Sequence, residues 1–290
     1  MKSPKIAIIV VNWKGLYDTL NCLKSLENLQ DCDFTTIVVD NNSNDGSVHV
    51  IEKSFPNVIL IENDVNLGFG GGNNVGIRYA IEKNFDYIWL LNNDVIVESK
   101  SLNLLIQSAQ KMQDRALISP IIYYISEPDN IWFSGGTYNP KTAVARHVSL
   151  STFNHAKYSF LTACALFAPA AFFIEHGMFE ESIFMYGEDV ELSIRAKKHG
   201  YALLIEPQAK IFHAVSSSAK PGSPFAYHHH IKNMVRVMIR YHGLAMLFTI
   251  IPYHLAKLIY LIVIQHRTLR IIQPYLKGLL QGVTQPLIRS

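Results

Sequence analysis

Apolar and polar positions alternate in blocks along the first 120 residues. Residues 6–11 are a continuous apolar run, as in a strand buried on both faces. Residues 18–29 place Leu20, Leu23 and Leu26 on one stripe beside Cys22, a helical period. A second strand is expected at 36–39, ended by the polar cluster 40–46, which can only be a loop. A short helix at 47–54, a strand at 58–61 and a helix opening near Gly70 and continuing through 76–83 follow. Residues 87–91 read as a fourth strand, closed by Asn92-Asn93-Asp94, with a helix over 99–113 and a strand over 116–122. This order predicts an α/β fold: a doubly wound, mostly parallel, Rossmann-like sheet with right-handed crossovers.

The second half is less regular. Residues 125–160 carry Gly135-Gly136 and several aromatics without a clear period. Residues 161–167 read as a buried strand, 172–177 as a short helix, and a helix opens at Glu188, followed by strands at 202–205 and 210–213. The Ser/Pro/Gly-rich stretch 216–223 reads as a linker, dividing a body (1–215) from a helical C-terminal region (216–290). There, Lys232, Arg236 and Arg240 recur every four residues and define one basic stripe. His228-His229-His230 reads as a solvated or headgroup-facing turn. Residues 244–264 approach spanning length, but Pro252, His254 and Lys257 interrupt them. The expectation is therefore an amphipathic hairpin on a membrane surface, with basic residues on anionic headgroups. Helices packing on the body or forming a homo-oligomer are the alternatives.

Charge sharpens the division. Residues 1–206 hold 16 basic and 23 acidic residues, a net −7; residues 207–290 hold ten basic residues and no acid, a net +10. No nucleic-acid motif accompanies the basic stripe, so a nucleic-acid partner is not expected. The apolar share of 49% and charged share of 17% exclude a disordered chain. After Met1 the chain enters its first strand run directly, which does not read as a leader. Cys22, Cys32 and Cys164 lack metal-type spacing, which favours a reducing cytosol.

Candidate chemistry lies where the predicted strands end, because ligands in such sheets bind outside the carboxyl ends. Those ends carry Asn12-Trp13, the 40–46 loop, Asn63 to Asn74, and Asn92-Asn93-Asp94. Gly68, Gly70 and Asn73 only approximate the dinucleotide fingerprint, and no phosphate-binding P-loop occurs. The glycines still let backbone N–H groups approach a ligand, unless they make only a tight turn. Asp94 offers hard oxygen for Mg2+ or Mn2+, or an Asx turn. His213 ends a strand, either as a structural imidazole or as a metal ligand. Glu188 and Asp189 follow a Gly and the aromatic approach Phe184-Met185-Tyr186. They could merely offset the helix dipole, with Glu191 and Arg195 an ordinary i,i+4 pair. A carboxylate held there could also take a proton from a bound hydroxyl.

Together these segments resemble an inverting GT-A glycosyltransferase of family 2, in its bacterial rhamnosyltransferase branch. The resemblance rests on IAIIVVNWKGLYDTLNCLKSL, VVDNNSNDGS, NDVNLGFGGGNNVGI, LLNNDV, LTACALF, FMYGEDVELSIRAKKHGY and PQAKIFH, within residues 6–213. It implies that Asp40 reads the nucleobase. Asn12 and Trp13 would line the nucleotide pocket, with Asn66, Gly68, Phe69 and Asn73 closing over it. Asp94 and His213 would hold Mg2+ or Mn2+, with Asn92 and Asn93 beside the donor. Asp189 would be the general base, with Glu188 its neighbour, and Thr162 to Cys164 would lie near sugar and acceptor. Asn92 stands where the family's D-x-D motif has its first acid, which removes one charge from the metal site. The implied reaction moves L-rhamnose from dTDP-L-rhamnose, a nucleotide-sugar, onto a lipid-linked glycan acceptor in cell-surface polysaccharide synthesis. The implied setting is cytoplasmic, peripheral on the inner face of the cell membrane. A UDP-galactofuranose or UDP-hexose donor, or a non-catalytic partner subunit, are the rival readings.

Overall fold

The computed structural model describes residues 3–30, 32–148, 158–215, 222–264 and 269–287. Its first half runs β1 (Ile6–Asn12), α1 (Leu16–Leu26), β2 (Phe34–Asp40), α2 (Ser47–Ser54), β3 (Ile59–Glu62), α3 (Gly68–Glu82) and β4 (Tyr87–Asn92). β1 pairs in parallel with β2 and β4, and β2 with β3. Ile6 to Val10 are buried, and β1 packs against both α1 and α3. A strand covered on both faces needs an unbroken apolar run, which is what 6–11 supplies.

The second half adds β5 (Val95–Val97), α4 (Ser101–Lys111), β6 (Ala116–Tyr124), β7 (Ile131–Phe133), a hairpin of β8 (Gly136–Asn139) and β9 (Val144–His147), β10 (Ala165–Pro169), α5 (Ala170–His176), α6 (Glu188–Lys198) and β11 (Ala202–His213). The sheet order is β3-β2-β1-β4-β10-β6-β11-β5, with β7 on β6. Three features depart from the expectation. β10 runs antiparallel to β4 and β6, since an apolar run specifies burial but not direction. The two strands expected at 202–205 and 210–213 are one strand, β11, whose register shifts between Glu206 and Lys210. Pro207 has no N–H to give the ladder, and the bulge absorbs it. Residues 125–160 are not wholly irregular, because β7 and the β8–β9 hairpin lie there; residues 149–157 fall outside the described set.

The C-terminal region is α7 (Pro224–His242), a 3₁₀ turn (Leu244–Met246), α8 (Leu247–Val263) and α9 (Leu269–Thr284). Most of the expected linker, residues 216–221, is outside the described residues, as are Lys220, Arg267 and Arg289. Ser223 caps α7 by accepting from Ala226 N at 3.1 Å, with Pro224 opening the helix. α9 lies close along α7: a Cβ at Gly278 would stand 2.5 Å from His228 O.

Two of the three cations in the α7 stripe meet the protein itself. Arg236, 6% exposed, and Arg240 turn inward onto residues 180–182 of the body. A four-residue recurrence defines a stripe but not the surface it meets. An irregular loop offers carbonyls that no ladder satisfies, and a guanidinium meets several at once. His228 to His230 also correct the expectation: they are half-buried, with the His229 ring tilted against Phe225 (centroids 4.3 Å apart) and His228 contacting Pro274 O at 3.3 Å. On α8, Ile250, His254, Leu258 and Leu261 are buried, while Phe248, Leu255, Ile259, Ile262 and Val263 are exposed. His254 donates to Thr142 O at 3.0 Å and accepts from Tyr275 OH at 2.7 Å. The stretch Leu244–Val263 is long and apolar enough to cross a membrane by length and composition.

Candidate active site

Asp94 and His213 meet through sheet register. β5 runs antiparallel to β11 and sets His213 opposite Val95, so Asp94 Oδ1 lies 3.0 Å from His213 Nε2. Both side chains are buried, and Ala214 N donates to Asp94 O at 2.9 Å. The Trp132 ring lies 4.5 Å from the His213 ring, and His213 Nδ1 has no hydrogen-bond partner among the described residues. A carboxylate oxygen and an imidazole nitrogen converging on one point are donor types suited to Mg2+ or Mn2+. Among the described residues no cluster of three His, Cys, Asp or Glu side chains forms, so further ligands would come from a bound anion and water. Asn93 Nδ2 ties this turn to α1 through Thr19 Oγ1 (3.0 Å) and Gly15 O (3.3 Å). Asn92 N donates to Cys164 O at 2.8 Å.

At the end of β2, Asp40 is 3% exposed and fully engaged. It accepts from Asn12 Nδ2 (2.7 Å), Ser43 Oγ (2.6 Å) and Ser43 N (2.9 Å). Asn12 is 0% exposed; its amide also reaches Ser43 and Ser47, and its oxygen accepts from Thr19 Oγ1 at 2.9 Å. Asn12 therefore lines nothing. It holds Asp40 and the 43–47 turn in place, because a buried amide must satisfy all its donors and acceptors. Trp13 is exposed, with the Lys14 ammonium 5.6 Å over its ring. Beside Asp40 opens a cleft of about 640 Å3, lined by Asp40, Asp45, Glu62, Asn63 and Asp64 among others. Its carboxylates suit base and ribose donors and repel phosphate.

Asn41, not singled out from the sequence, joins this loop to the next. Its amide donates to Asn66 Oδ1 (3.0 Å) and Gly68 O (2.9 Å), and its oxygen accepts from Asn63 Nδ2 and Leu67 N. Asn66 accepts from Gly68 N at 2.8 Å, and Asn73, buried inside α3, donates to Phe69 O at 2.9 Å. The glycine segment is neither an open phosphate loop nor only a tight turn. It forms the first turns of α3, and Phe69 N donates to Phe184 O at 2.8 Å. Gly68 and Phe69 thus abut the aromatic approach to Glu188.

That approach ends sharply. Tyr186 (φ 66°) and Gly187 (φ 92°) are left-handed in succession and turn the chain into α6. Glu188 is buried, with Oε2 unpartnered among the described residues; Asp189 is half-buried, and its Oδ1 accepts from Val190 N at 2.8 Å. Burial raises the Asp189 carboxyl above its ordinary range, while the Ala163 and Val190 N–H groups partly hold it down. Burial and then the Asp189 charge raise Glu188 as well. The Cys164 thiol is pushed up by burial and by the charges of both Asp94 and Asp189. The 162–164 segment therefore lies between the Asp94–His213 pair and the Glu188–Asp189 pair. Burial and Asp94 likewise push Cys22 up to about 12. Glu191 and Arg195 are more than a surface pair: Glu191 is buried and Arg195 half-buried, and Arg195 also donates to the carbonyls of His176, Gly177 and Met178 at 2.6 Å.

Comparison with known proteins places the chain in a family. A profile described as Glycosyl transferase family 2 matches residues 7–179. The chain is 27% identical over 236 residues to an N-acetylglucosaminyl-diphospho-decaprenol L-rhamnosyltransferase of Mycobacterium tuberculosis, covering 71% of this chain and 76% of that one. Among solved structures, GalNAc-T7 with UDP, GalNAc and Mn2+ superposes with a TM-score of 0.68 at 17% identity, over 82% of this chain and 48% of that one. The chain thus spans about half of that structure. S. aureus TarS 1-349 gives 0.64 at 14% identity, over 96% and 81% of the two chains. A mannosyltransferase of Pyrobaculum calidifontis in complex with GDP-Man and Mn2+ gives 0.60 at 12% identity, over 97% and 85%. The likeness to these structures is one of fold, the GT-A arrangement of a mostly parallel sheet with C-terminal helices. The family match, over residues 7–179, includes the 40–46 loop and the Asn92-Asn93-Asp94 turn: the chain is a glycosyltransferase and belongs to glycosyl transferase family 2.

Proposed function

We propose that this chain moves L-rhamnose from dTDP-L-rhamnose onto a hydroxyl of a lipid-linked glycan, with inversion, at the cytoplasmic face of the cell membrane. The observation that carries the reading is the convergence of two carboxylate sites, Asp94–His213 and Glu188–Asp189, on the 162–164 segment. The rhamnosyl donor and lipid-linked acceptor rest on the Mycobacterium relative. Residues 1–215 form the catalytic body in this reading, and 216–290 its membrane-facing extension.

Asp40, held by Asn12 and Ser43, receives the base in the acidic cleft, with Trp13 at its rim. Asp94 and His213 would hold a divalent cation, with its remaining ligands left to the bound donor and water. When bound, the ion neutralises charge on the leaving diphosphate. Asp189 accepts the proton of the acceptor hydroxyl as oxygen attacks the anomeric carbon from the face opposite the diphosphate. One base and no covalent nucleophile give a single displacement. Glu188, protonated beside it, keeps the site from carrying two adjacent buried charges.

Thermal shift with dTDP, UDP and GDP in Mn2+ or Mg2+, followed by donor hydrolysis, tests this reading. Stabilisation by dTDP and hydrolysis of dTDP-L-rhamnose are expected. Stabilisation by UDP alone would move the assignment to a UDP-sugar donor. No turnover of any donor would leave a binding subunit. A binding subunit has no use for a buried, unpartnered carboxylate such as Glu188.

A further inference from the structure

The site described so far leaves several cations unused where the catalytic body meets α8. The β8–β9 hairpin touches α8 through its turn, where Thr142 O accepts from His254. Lys257 is the next residue but two on α8, one turn along the same side, and Arg146 lies on β9. Arg146 is exposed and Lys257 half-buried, and neither pairs with a carboxylate among the described residues. Neither their own segments nor the C-terminal helices carry a counter-ion, because residues 130–174 and 207–290 contain no Asp or Glu. The neighbouring groups are imidazoles: His254 on α8, His230 on α7 and His147 on β9. Burial, and then Arg146, push the Lys257 ammonium down; burial, and then Lys257, push His230 down to about 4. Like charges gathered without a counter-ion stabilise no fold, and await an anion.

Two further relationships say which anion. Toward the sheet, the His147 ring lies 4.7 Å from Trp132, and Trp132 lies 4.5 Å from His213. On α7, the His230 ring lies 6.3 Å from Tyr186, three residues before Asp189. The cluster thus sits one aromatic layer from both halves of the catalytic site. On its other side, α8 exposes Leu255, Ile259, Ile262 and Val263. An anion seated there would have a sugar-accepting end directed toward Asp189 and an apolar end directed along α8.

We propose that Arg146 and Lys257, flanked by His230 and His254, bind the diphosphate of a lipid-diphosphate acceptor whose hydrocarbon chain runs along the exposed face of α8. This deepens the reading of a lipid-linked acceptor and rests on it. Arg146 donates to one phosphoryl group in a fork and Lys257 contributes a point charge. The glycan end then reaches past Trp132 and Tyr186 to the base.

The test uses the full chain, with geranylgeranyl diphosphate as probe and inorganic pyrophosphate and geranylgeraniol as controls. Binding is followed by calorimetry in detergent, on wild type and on R146Q/K257Q. The double variant removes like-charge repulsion, so it is expected to fold. The prenyl diphosphate should bind wild type, and its affinity should fall at least about tenfold in the variant, as for two lost charge-assisted contacts. Prenyl diphosphate binding that is absent, or equal in the two proteins, would overturn the proposal. Pyrophosphate binding as tightly as the lipid would overturn the lipid part and leave a free-anion site. Geranylgeraniol binding as tightly would show that the cations are not read. Donor hydrolysis on the same wild-type preparation separates the two levels: its absence sinks the transferase assignment whatever the lipid binds, while its presence with equal lipid binding sinks only this site.

Discussion

Arg236 on α7 grips Ser182 with both terminal nitrogens, Nη1 to the carbonyl and Nη2 to the hydroxyl, each at 3.0 Å. Its Nε donates to Gln285 O just beyond α9 at 2.8 Å. Beside it, Asn233 Nδ2 donates to Met185 O at 2.9 Å, one residue before the left-handed pair that delivers Glu188 and Asp189. The C-terminal extension is therefore part of the frame that orients Glu188 and Asp189.

Removing this grip should lower stability and turnover together. Arg236→Met leaves four oxygens, on Ser182, Asn233 and Gln285, without their donor and should cost about 1–3 kcal/mol, read as a lower denaturation midpoint. Arg236→Lys keeps the charge but not the fork, and should recover only part. The milder Asn233→Ala should lower kcat more than it raises donor KM, since it frees Met185 without touching the nucleotide end. An unchanged kcat in a folded Asn233→Ala protein would separate the extension from catalysis.

The coupled acids predict a pH signature. Burial raises both carboxyls, so the acid limb of kcat/KM should lie well above the ordinary carboxylate pKa of about 4. Stability moves the other way. A carboxyl raised in the fold contributes stability fully present below its unfolded pKa and lost as pH rises through the folded value. Glu188→Gln should therefore match wild type in acid and exceed it in Tm at alkaline pH. Parallel Tm curves across that range would refute a raised Glu188.

Much of the candidate site was legible in position, because its residues close strands or open helices. Asp40, Asp94 and Asp189 each stand where an apolar period breaks, and a polar residue there has few structural uses. What the period hides is direction and side. The apolar run 161–167 could not tell that β10 is antiparallel, the relation that brings Cys164 beside Asn92. The stripe Lys232-Arg236-Arg240 could not tell membrane from protein, because both can receive a cation. Asn12 looked like a pocket residue, yet its burial makes it a strut for Asp40, a distinction only packing reveals. Asn41 gave no signal at all, since its four partners lie 22 to 27 residues away.

The Asp94–His213 pair offers too few ligands for tight binding of a free cation. Mn2+ titrated by electron paramagnetic resonance should bind weakly to the protein alone and more tightly once dTDP is present, because phosphate oxygens complete the sphere. Asp94→Asn should abolish that nucleotide-dependent gain and lower kcat/KM by roughly 10²-fold or more, in line with the charge stabilisation a bound cation supplies. Full activity of wild type in excess chelator would remove the cation from the reading.

Two glycines separate backbone strain from close approach. Gly68 (φ +76°) and Gly46 (φ +81°) are both left-handed. A Cβ at Gly68 would lie 2.3 Å from Phe184 O, whereas one at Gly46 would meet nothing within 4 Å. Gly46→Ala should therefore cost only the left-handed penalty, about 1–2 kcal/mol. Gly68→Ala adds the clash and weakens the Phe69 N–H bond to Phe184 O, so its cost should exceed that of Gly46→Ala by about 1 kcal/mol or more. The displaced Phe184 precedes Glu188 by four residues, so Gly68→Ala should also lower kcat. Equal denaturation midpoints for the two variants, with kcat unchanged in Gly68→Ala, would mean that the α3 start and the aromatic approach move independently.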